Sequence, residues 1–281
     1  MPIRLSNNAY GKNAVNLSKI IRHKDHHEFR QISVNVSLEG DFEAVHTIGD
    51  NSKVLPTDTQ KNTVYALAKE HFVDSIENFG IYLANYFLSN NPPVLQCTIE
   101  ITEHLWNRMT IEGKHHPHAY ISGGAEKHVA RVMQSKASTE ITSGIKDLLI
   151  LKTTDSGFEN YIHDKYTTLK ETSDRIFATN CEAGWLYKEA PKDSTTVFQD
   201  IRTILISVFA NHKSLSVQHT LYAMAEKVLQ TFSIVREISL KMPNKHHIPF
   251  NLQQFGMNNE NEIFIATDEP YGYITATVTR E

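Results

Sequence analysis

The chain has 281 residues and a net formal charge of −4, so its charge gives no basis for binding nucleic acid or an anionic membrane surface. Hydrophobic residues make up 40% and charged residues 21%, as in globular proteins, and no run approaches the ~20 apolar residues that a membrane span needs. Cys97 and Cys181 match no spacing rule for a disulfide, which favours a reducing, cytoplasmic setting.

The first half of the chain alternates between strand-like and helical patterns. Apolar residues at every second position over residues 32–38 predict a half-buried strand. Over residues 61–89 the spacing changes to three and four, which predicts helix, although Gly80 weakens the prediction of one unbroken helix. The prolines of "NNPP", residues 90–93, end the helical stretch, and alternation over residues 95–101 predicts the next strand.

The second half repeats this order. Six runs have strand-like patterns: residues 129–150, 176–187, 238–242, 248–252, 262–266 and 273–278. Two runs between the second and third of these have helical spacing, residues 197–208 and 217–228. The last two strands form a pair joined by the turn signal "DEPYG".

Each half therefore predicts a β-β-α-α-β-β unit, and the two units divide the chain into residues 1–137 and 138–281. Long helices segregated from antiparallel strands define an α+β protein, in which the helices cover one face of an antiparallel sheet.

Common cofactor and metal motifs are missing from the sequence. It has no G-x-G-x-x-G, no Walker loop, no H-E-x-x-H and no C-x-x-C. The nearest metal candidates are the histidines of "RHKDHHE", residues 22–28, and of "KHHPHAY", residues 114–120. Because the sequence singles out no third ligand, we expect these to be turn or surface histidines and expect no metal.

Two segments in the first half carry candidate functional residues, each with a structural alternative. In "TDTQKNT", Asp58 or Thr59 would be the N-cap of a helix that starts just beyond. The positive end of that helix would also suit an anionic ligand, to which Thr57 adds a hydroxyl. Lys12 is a solvated charge by default, and a candidate base only if it is buried beside a hydroxyl.

Three segments in the second half are similarly ambiguous. Asn244 and His246 lie in a predicted turn or bulge, yet the amide can orient a small molecule and histidine titrates near neutral pH. Gln218 lies near a predicted helix start, where glutamine is usually an exposed helix former. The segment "KYTTLKETSDRI" has neither a clear helical nor a clear strand pattern. Its Arg175 is either a solvated charge or a planar guanidinium that binds a ligand.

Taken together, these segments resemble the urate oxidase, or uricase, family. "YGK", "TDTQKNTVYALAKE", "HPHAY", "DKYTTLKETSDRI", "SVQHTLY" and "PNKHH" occur in that family's order and rough spacing, nearly from end to end. The resemblance implies the tunnelling fold, or T-fold, with two such units per chain and a homotetramer whose active sites are shared between neighbouring chains. It also implies oxidation of urate by O₂ to 5-hydroxyisourate in purine degradation, with release of H₂O₂ and with no metal or organic cofactor.

The resemblance also implies how the purine is held. Arg175 and Gln218 would form a pincer on its edge, and Phe158 would stack on its face. Leu169 and Val217 would line the pocket.

The remaining matched residues would meet the opposite edge and move protons. Thr57 and Asp58 would bind urate through backbone N–H groups and the threonine hydroxyl. Lys12, Thr57 and His246 would form a proton relay, and Asn244 would lie near the site of O₂ or water.

One departure from the family pattern is Ser173, where some relatives carry Trp; it flanks the pincer and concerns local packing. The C-terminus "TVTRE" lacks a peroxisomal address, which implies a cytosolic enzyme of the bacterial type. Two alternatives stay open: a metal-dependent T-fold enzyme acting on a pterin or purine, and a non-enzymatic purine-binding protein. The complete set of matched polar residues argues against the second.

Overall fold

The computed structural model describes residues 3–281, so the first two residues of the predicted first unit lie outside the described range. The chain forms two compact units, one comprising residues up to Gly144 together with Leu186–Phe198, and one comprising Ile145–Trp185 together with Gln199–Glu281. The division between residues 137 and 138 stays a prediction. Within residues 3–281, no helix is both long and apolar enough to cross a membrane.

The secondary structure follows the predicted order of two pairs of long helices, each flanked by strands, with one additional five-residue helix before the first pair that was not predicted. In chain order the elements are β1 (Tyr10–Arg22), β2 (His27–Gly40), α1 (Glu43–Thr47), α2 (Thr57–His71), α3 (Ile76–Asn90), β3 (Val94–Ile111), β4 (Lys114–Ser135), β5 (Thr139–Lys152), β6 (Phe177–Tyr187), α4 (Ser194–Asn211), α5 (Val217–Thr231), β7 (Val235–Lys241), β8 (Asn244–Pro249), a 3₁₀ turn (Gln253–Phe255), β9 (Phe264–Thr267) and β10 (Thr275–Thr279). The α+β class is therefore confirmed.

Strands β1 to β4 of the first unit form an antiparallel sheet in sequential order. The alternating residues of β2, Ile32 to Leu38, are fully buried, as predicted. The strand predicted over residues 95–101 lies within β3, but Leu95 is not on its buried face: Leu95 is 55% exposed, whereas Val94 is buried. The register between β2 and β3 shifts at this point, since Glu39 pairs with Gln96 and Gly40 with Val94. Because of this bulge, the side chains at the start of β3 face the opposite way from the alternation that the rest of the strand follows.

The helical stretch of the first unit is interrupted at residues 72–75, and not at Gly80. Ser75 caps α3, since its side chain accepts a hydrogen bond from the Asn78 N–H at 3.1 Å. A Cβ at Gly80 would lie 2.9 Å from Cγ2 of Val132 on β4. Gly80 therefore permits close packing of α3 against the sheet and does not break the helix.

The strands of the second unit pair differently from the prediction near the C-terminus. β9 pairs with β8 and β10 pairs with β7, so the last two strands are not paired with each other. β8 ends at Pro249, and the predicted extension through residue 252 is wrong. The side-chain oxygen of Asn251 accepts a hydrogen bond from the Gln253 N–H at 3.0 Å, which turns the chain out of the strand.

Both cysteines are free and buried. Burial raises the pKa of the Cys97 thiol to about 12. Burial, with a smaller contribution from the Glu182 carboxylate, raises the pKa of the Cys181 thiol to about 12. Both side chains therefore act as small apolar groups in the core.

A buried cluster of charged residues lies beneath α3 in the first unit. Arg30 donates two hydrogen bonds to the Glu103 carboxylate, at 2.6 and 3.0 Å. His128 Nε2 lies 2.9 Å from Glu77 Oε1, and His128 Nδ1 lies 3.6 Å from Glu103 Oε2. The Ser143 hydroxyl also donates to Glu77. The protonated cluster holds two cations and two carboxylates, so its charges balance.

The pKa values of this cluster are shifted toward its charged form. Burial alone would lower the pKa of His128, but hydrogen bonds and charges from Glu103 and Glu77 outweigh burial and raise it. Burial raises the pKa of Glu103, but His128 and Arg30 reverse that effect and hold it at about 2. The stabilisation by His128 is complete below its ordinary pKa of 6.5 and is lost as the pH rises through the raised value. The stabilisation by Glu103 is complete above 4.5 and is lost as the pH falls toward 2.

We therefore expect His128→Gln to lower the free energy of unfolding by about 3–5 kcal/mol near pH 6, because buried carboxylates lose their cation. The difference from the wild type should shrink as the pH rises above 6.5. Urea unfolding at pH 5.5, 7.0 and 8.5, at one protein concentration, measures this. The exposed His115→Gln is the matched control, and a pH-independent difference for His128→Gln would contradict the assignment of charge to His128.

Candidate active site

Arg175 lies in the irregular segment before β6, with its guanidinium carbon 5.3 Å from the centroid of the Phe158 ring. Burial lowers the pKa of the guanidinium, but arginine stays charged at neutral pH. Within residues 3–281 no carboxylate forms a salt bridge with Arg175. The adjacent Asp174 instead accepts hydrogen bonds from the Thr154 hydroxyl at 2.8 Å and the Ser156 N–H at 3.3 Å. The charge of Arg175 is thus available to an anionic ligand.

Phe158 is held beside Arg175 by its backbone. Its N–H donates to the Thr172 carbonyl at 2.8 Å, and its carbonyl accepts from the Thr172 N–H at 3.2 Å. A Cβ at Gly157 would lie 3.0 Å from the carbonyl oxygen of Ser173, so glycine allows the two segments to approach closely. Ser173 itself is exposed, and contacts this segment through its backbone.

Tyr161 supports Phe158 and was not singled out in the sequence. Its ring stacks on that of Phe158 with centroids 4.8 Å apart and an interplanar angle of 14°. The His163 ring stacks on Tyr161 in turn, at 4.8 Å. The Tyr161 hydroxyl donates to the Leu169 carbonyl at 2.7 Å. Tyr161 therefore links two of the predicted pocket residues, Phe158 and Leu169. In the sequence, the one feature that pointed to Tyr161 is that it is an aromatic residue three positions after Phe158.

A cavity of about 710 Å³ in the second unit brings five predicted residues together. These are Phe158, Leu169, Arg175, Asn244 and His246. Its volume falls within the ~300–1,000 Å³ of small-molecule sites. An aromatic ring, a cation and an amide around one such space suit a flat, polar, anionic molecule.

Val217 and Gln218 do not line this cavity, but the backbone connects them to the Phe158 segment. They begin α5, which is capped by the Ser216 side chain accepting from the His219 N–H at 3.1 Å. Just before this cap, the Ser214 carbonyl accepts a hydrogen bond from the Gly157 N–H at 2.8 Å. Val217 is buried and Gln218 is exposed.

Asn244 and His246 are the first and third residues of β8. Asn244 Nδ2 lies 3.3 Å from His246 Nδ1, and the Asn244 N–H donates to the Gly272 carbonyl at 2.8 Å. Asn244 pairs with Thr179 on β6, and His246 pairs with Thr267 on β9. Both side chains thus lie on one short strand that is held on two sides.

Lys12 lies on β1 in the first unit, opposite Val36 of β2. A Cβ at Gly11 would lie 1.8 Å from the Val36 carbonyl oxygen, so only glycine allows the strand to approach β2 here. The register shifts immediately after Lys12, and Ala14 adopts a φ of 55° with its N–H donating to Asn35 Oδ1 at 2.8 Å. This bulge sets the direction of the chain at Lys12.

Thr57 and Asp58 are the first two residues of α2, so the prediction that Asp58 or Thr59 is the N-cap is wrong. Pro56 occupies that position, and Asp58 turns its carboxylate to Lys61 and Asn62 in the next turn. These contacts, chiefly with Lys61, and the nearby charge of Lys12 lower the pKa of Asp58. No side chain caps the start of α2, and the first backbone N–H groups of an α-helix have no acceptor within the helix.

The loop before α2 is anchored to β1 near Lys12. The Tyr10 hydroxyl oxygen accepts a hydrogen bond from the Leu55 N–H at 2.9 Å. Tyr10, Leu55 and Thr57 line a cavity of about 200 Å³. The loop that leads into α2 is therefore bonded to β1 two residues before Lys12.

The order of strands and long helices in the two halves of the chain defines a tandem T-fold protein, and its second unit holds a cavity of small-molecule size. The uricase family model matches residues 8–133 and 141–275. The uricase of Arthrobacter globiformis is 41% identical over 277 residues, covering 99% of this chain and 90% of that protein. The uricase of Dictyostelium discoideum is 37% identical over 280 residues, covering 98% and 97%.

A crystal structure of the Arthrobacter globiformis uricase matches with a TM-score of 0.95 and 40% identity, covering 100% of this chain and 96% of that chain. The chain belongs to the uricase family.

Proposed function

We propose that the protein is a urate oxidase that needs no cofactor. Urate, O₂ and H₂O are converted to 5-hydroxyisourate and H₂O₂, so two electrons pass from urate to O₂ and the product gains its oxygen from water. The observation that carries this proposal is the family match over both halves of the chain, at up to 41% identity among the relatives described above. The enzyme would act in purine degradation.

The cavity in the second unit supports a purine site. We propose that Arg175 and Gln218 hold one edge of urate, because a guanidinium fork and an amide match alternating acceptors and donors. Phe158 would stack on the ring, contributing on the order of 1–3 kcal/mol by analogy with base–aromatic stacking. Leu169 and Val217 would supply the apolar wall.

The residues near the start of α2 would act on the other edge of urate. Thr57 and Asp58 would bind it through the free N–H groups of the first turn and the threonine hydroxyl. Lys12 would serve as the base and Thr57 as the relay for a proton leaving urate. His246 would orient Lys12 or hold a water, and Asn244 would lie at the O₂ or water site. Loss of the proton makes urate electron-rich, which lets it serve as the electron donor to O₂.

We further propose that two T-fold units, residues 1–137 and 138–281, assemble into a cytoplasmic homotetramer with sites shared between neighbouring subunits. The two separate family-model matches support the division of the chain. The free, buried cysteines agree with a reducing compartment.

The decisive experiment follows urate absorbance and peroxide together, in buffer treated with a chelating resin. The proposal predicts one H₂O₂ formed per urate lost, with no change on adding EDTA. Loss of activity with EDTA and its return with a divalent metal would favour the metal-dependent T-fold enzyme. Urate binding without turnover in either buffer would favour a binding protein.

If active sites are shared between neighbouring subunits, activity should depend on assembly of the tetramer. Specific activity should fall when dilution dissociates the tetramer, and should return on reconcentration. Mass photometry on the same samples measures the oligomer present. A monomer with full specific activity would contradict the proposal that sites are shared.

Tyr161 should affect urate binding through Phe158. We expect Tyr161→Leu to weaken anaerobic urate binding about 2- to 10-fold, since a stacked aromatic pair contributes about 0.5–1.5 kcal/mol. Tyr161→Phe keeps the stack, loses only the hydrogen bond to Leu169, and serves as the matched control. Equal affinities for the two variants would show that the stack does not position Phe158.

A further inference from the structure

The turn between β1 and β2 brings two histidines together at the end of the hairpin. Arg22 and His27 form the last pair of the ladder, and the His23 N–H donates to the His26 carbonyl at 2.9 Å. The His23 and His26 rings stack with centroids 4.6 Å apart and an interplanar angle of 21°. The turn thus places two imidazoles side by side.

Glu28 of β2 adds a carboxylate to this pair. Its Oε1 lies 2.6 Å from His23 Nε2. Candidate ligand atoms of His23, His26 and Glu28 all lie within 4.8 Å of one another. The side chains of His23 and Glu28 are 41% and 48% exposed, so solvent can reach the space between them. The folded hairpin therefore supplies a third candidate ligand, Glu28, that the sequence did not single out.

Asp25 orients one of the two imidazoles. Its Oδ1 lies 2.9 Å from His26 Nδ1. A carboxylate that binds one ring nitrogen fixes the tautomer and leaves the other nitrogen as an acceptor, which is how many metal-binding histidines are held. The hairpin thus contains three candidate ligands and a carboxylate, Asp25, that orients one of them.

We propose that this hairpin binds one divalent transition-metal ion of the zinc class, with His23, His26 and Glu28 as ligands and Asp25 orienting His26. Two imidazole nitrogens and one carboxylate oxygen suit Zn²⁺, Ni²⁺ or Cu²⁺, whereas Mg²⁺ and Ca²⁺ prefer oxygen ligands alone. Water would complete the coordination.

This site is separate from the proposed chemistry. Lys12 and Arg22 are ten residue steps apart along β1, which corresponds to about 33 Å at ~3.3 Å per residue. The metal takes no part in urate oxidation, and the inference does not depend on the proposed function. A metal ion found in the purified protein could therefore be bound at this hairpin without taking part in catalysis.

Isothermal titration of the tag-free protein with ZnCl₂ at pH 7.5 tests the proposal. We expect one Zn²⁺ per chain, and at least tenfold weaker binding for His23→Ala, His26→Ala and Glu28→Gln. Asp25→Asn, which keeps the side-chain shape, should weaken binding about 10-fold. Competition with excess MgCl₂ should leave the Zn²⁺ isotherm unchanged.

His71→Ala is the matched control, because His71 is another partly exposed histidine with a single carboxylate neighbour, Glu70, at 3.7 Å. It should bind Zn²⁺ as the wild type does. Circular dichroism melts verify that each variant is folded. Absence of Zn²⁺ binding by the wild type would overturn the proposal, and so would binding that survives in the folded His23→Ala and His26→Ala variants.

Discussion

Arg175→Ala should weaken urate binding by about 100-fold or more, because at least two charge-assisted hydrogen bonds of about 1.5–3 kcal/mol each are lost. The charge of Arg175 is not paired with a carboxylate within residues 3–281, so its removal leaves no buried anion behind. The variant should fold as the wild type does. Isothermal titration with urate under anaerobic conditions measures affinity without turnover.

Arg175→Lys distinguishes charge from geometry. Lysine keeps the cation but lacks the planar fork, so we expect an affinity between those of the wild type and Arg175→Ala. A wild-type affinity for Arg175→Ala would remove this residue from the proposed pincer and leave the cavity without its anion-binding group.

Lys12→Ala should lower turnover by about 100- to 10,000-fold, the range for loss of a general base, while anaerobic urate affinity changes little. The reason is that the proposed role of Lys12 lies in taking a proton from bound urate, and not in holding the ring. Stopped-flow measurement of urate loss at saturating substrate gives turnover, and the anaerobic titration gives affinity.

Lys19→Ala is the matched control on the same strand. Lys19 Nζ donates to the carbonyls of Ala68 and Lys69 at the end of α2, at 2.8 and 3.0 Å. We expect this variant to melt at a lower temperature and to keep its turnover. Equal turnover of Lys12→Ala and the wild type would exclude Lys12 as the base.

Regular, half-buried elements were predictable because burial imposes a period on the sequence. The alternation of β2 and the helical spacing of α4 and α5 identified those elements, since one face of each is buried. The outer parts of β3 and β4 were missed. Glu112 and Gly113 form the turn between β3 and β4, with positive φ values of 49° and 77°. Around this turn, residues on both faces of the strands are exposed, so the sequence shows no alternation of apolar and polar residues.

Candidate site residues could be named from the sequence only where a local motif contains them. Arg175 lies in a long distinctive segment, and the structure places it beside the Phe158 ring, whereas the roles of both residues toward urate stay predictions. Tyr161 was not singled out because its stacking on Phe158 depends on ring geometry, and Glu28 was not singled out as a candidate ligand because His23 reaches it from across a turn. Both depend on side-chain directions that spacing along the chain does not specify.

An oxidase that releases peroxide exposes its own sulfur atoms to that oxidant at every turnover. Peroxide attacks the thiolate, and Cys97 and Cys181 have pKa values raised to about 12, so almost none of either ionises at neutral pH. Oxidation by the released peroxide would then affect the thioethers of solvent-exposed methionines, such as Met257, which is 52% exposed. The oxidation of surface methionines, and not of the buried cysteines, would then limit how long the enzyme stays active.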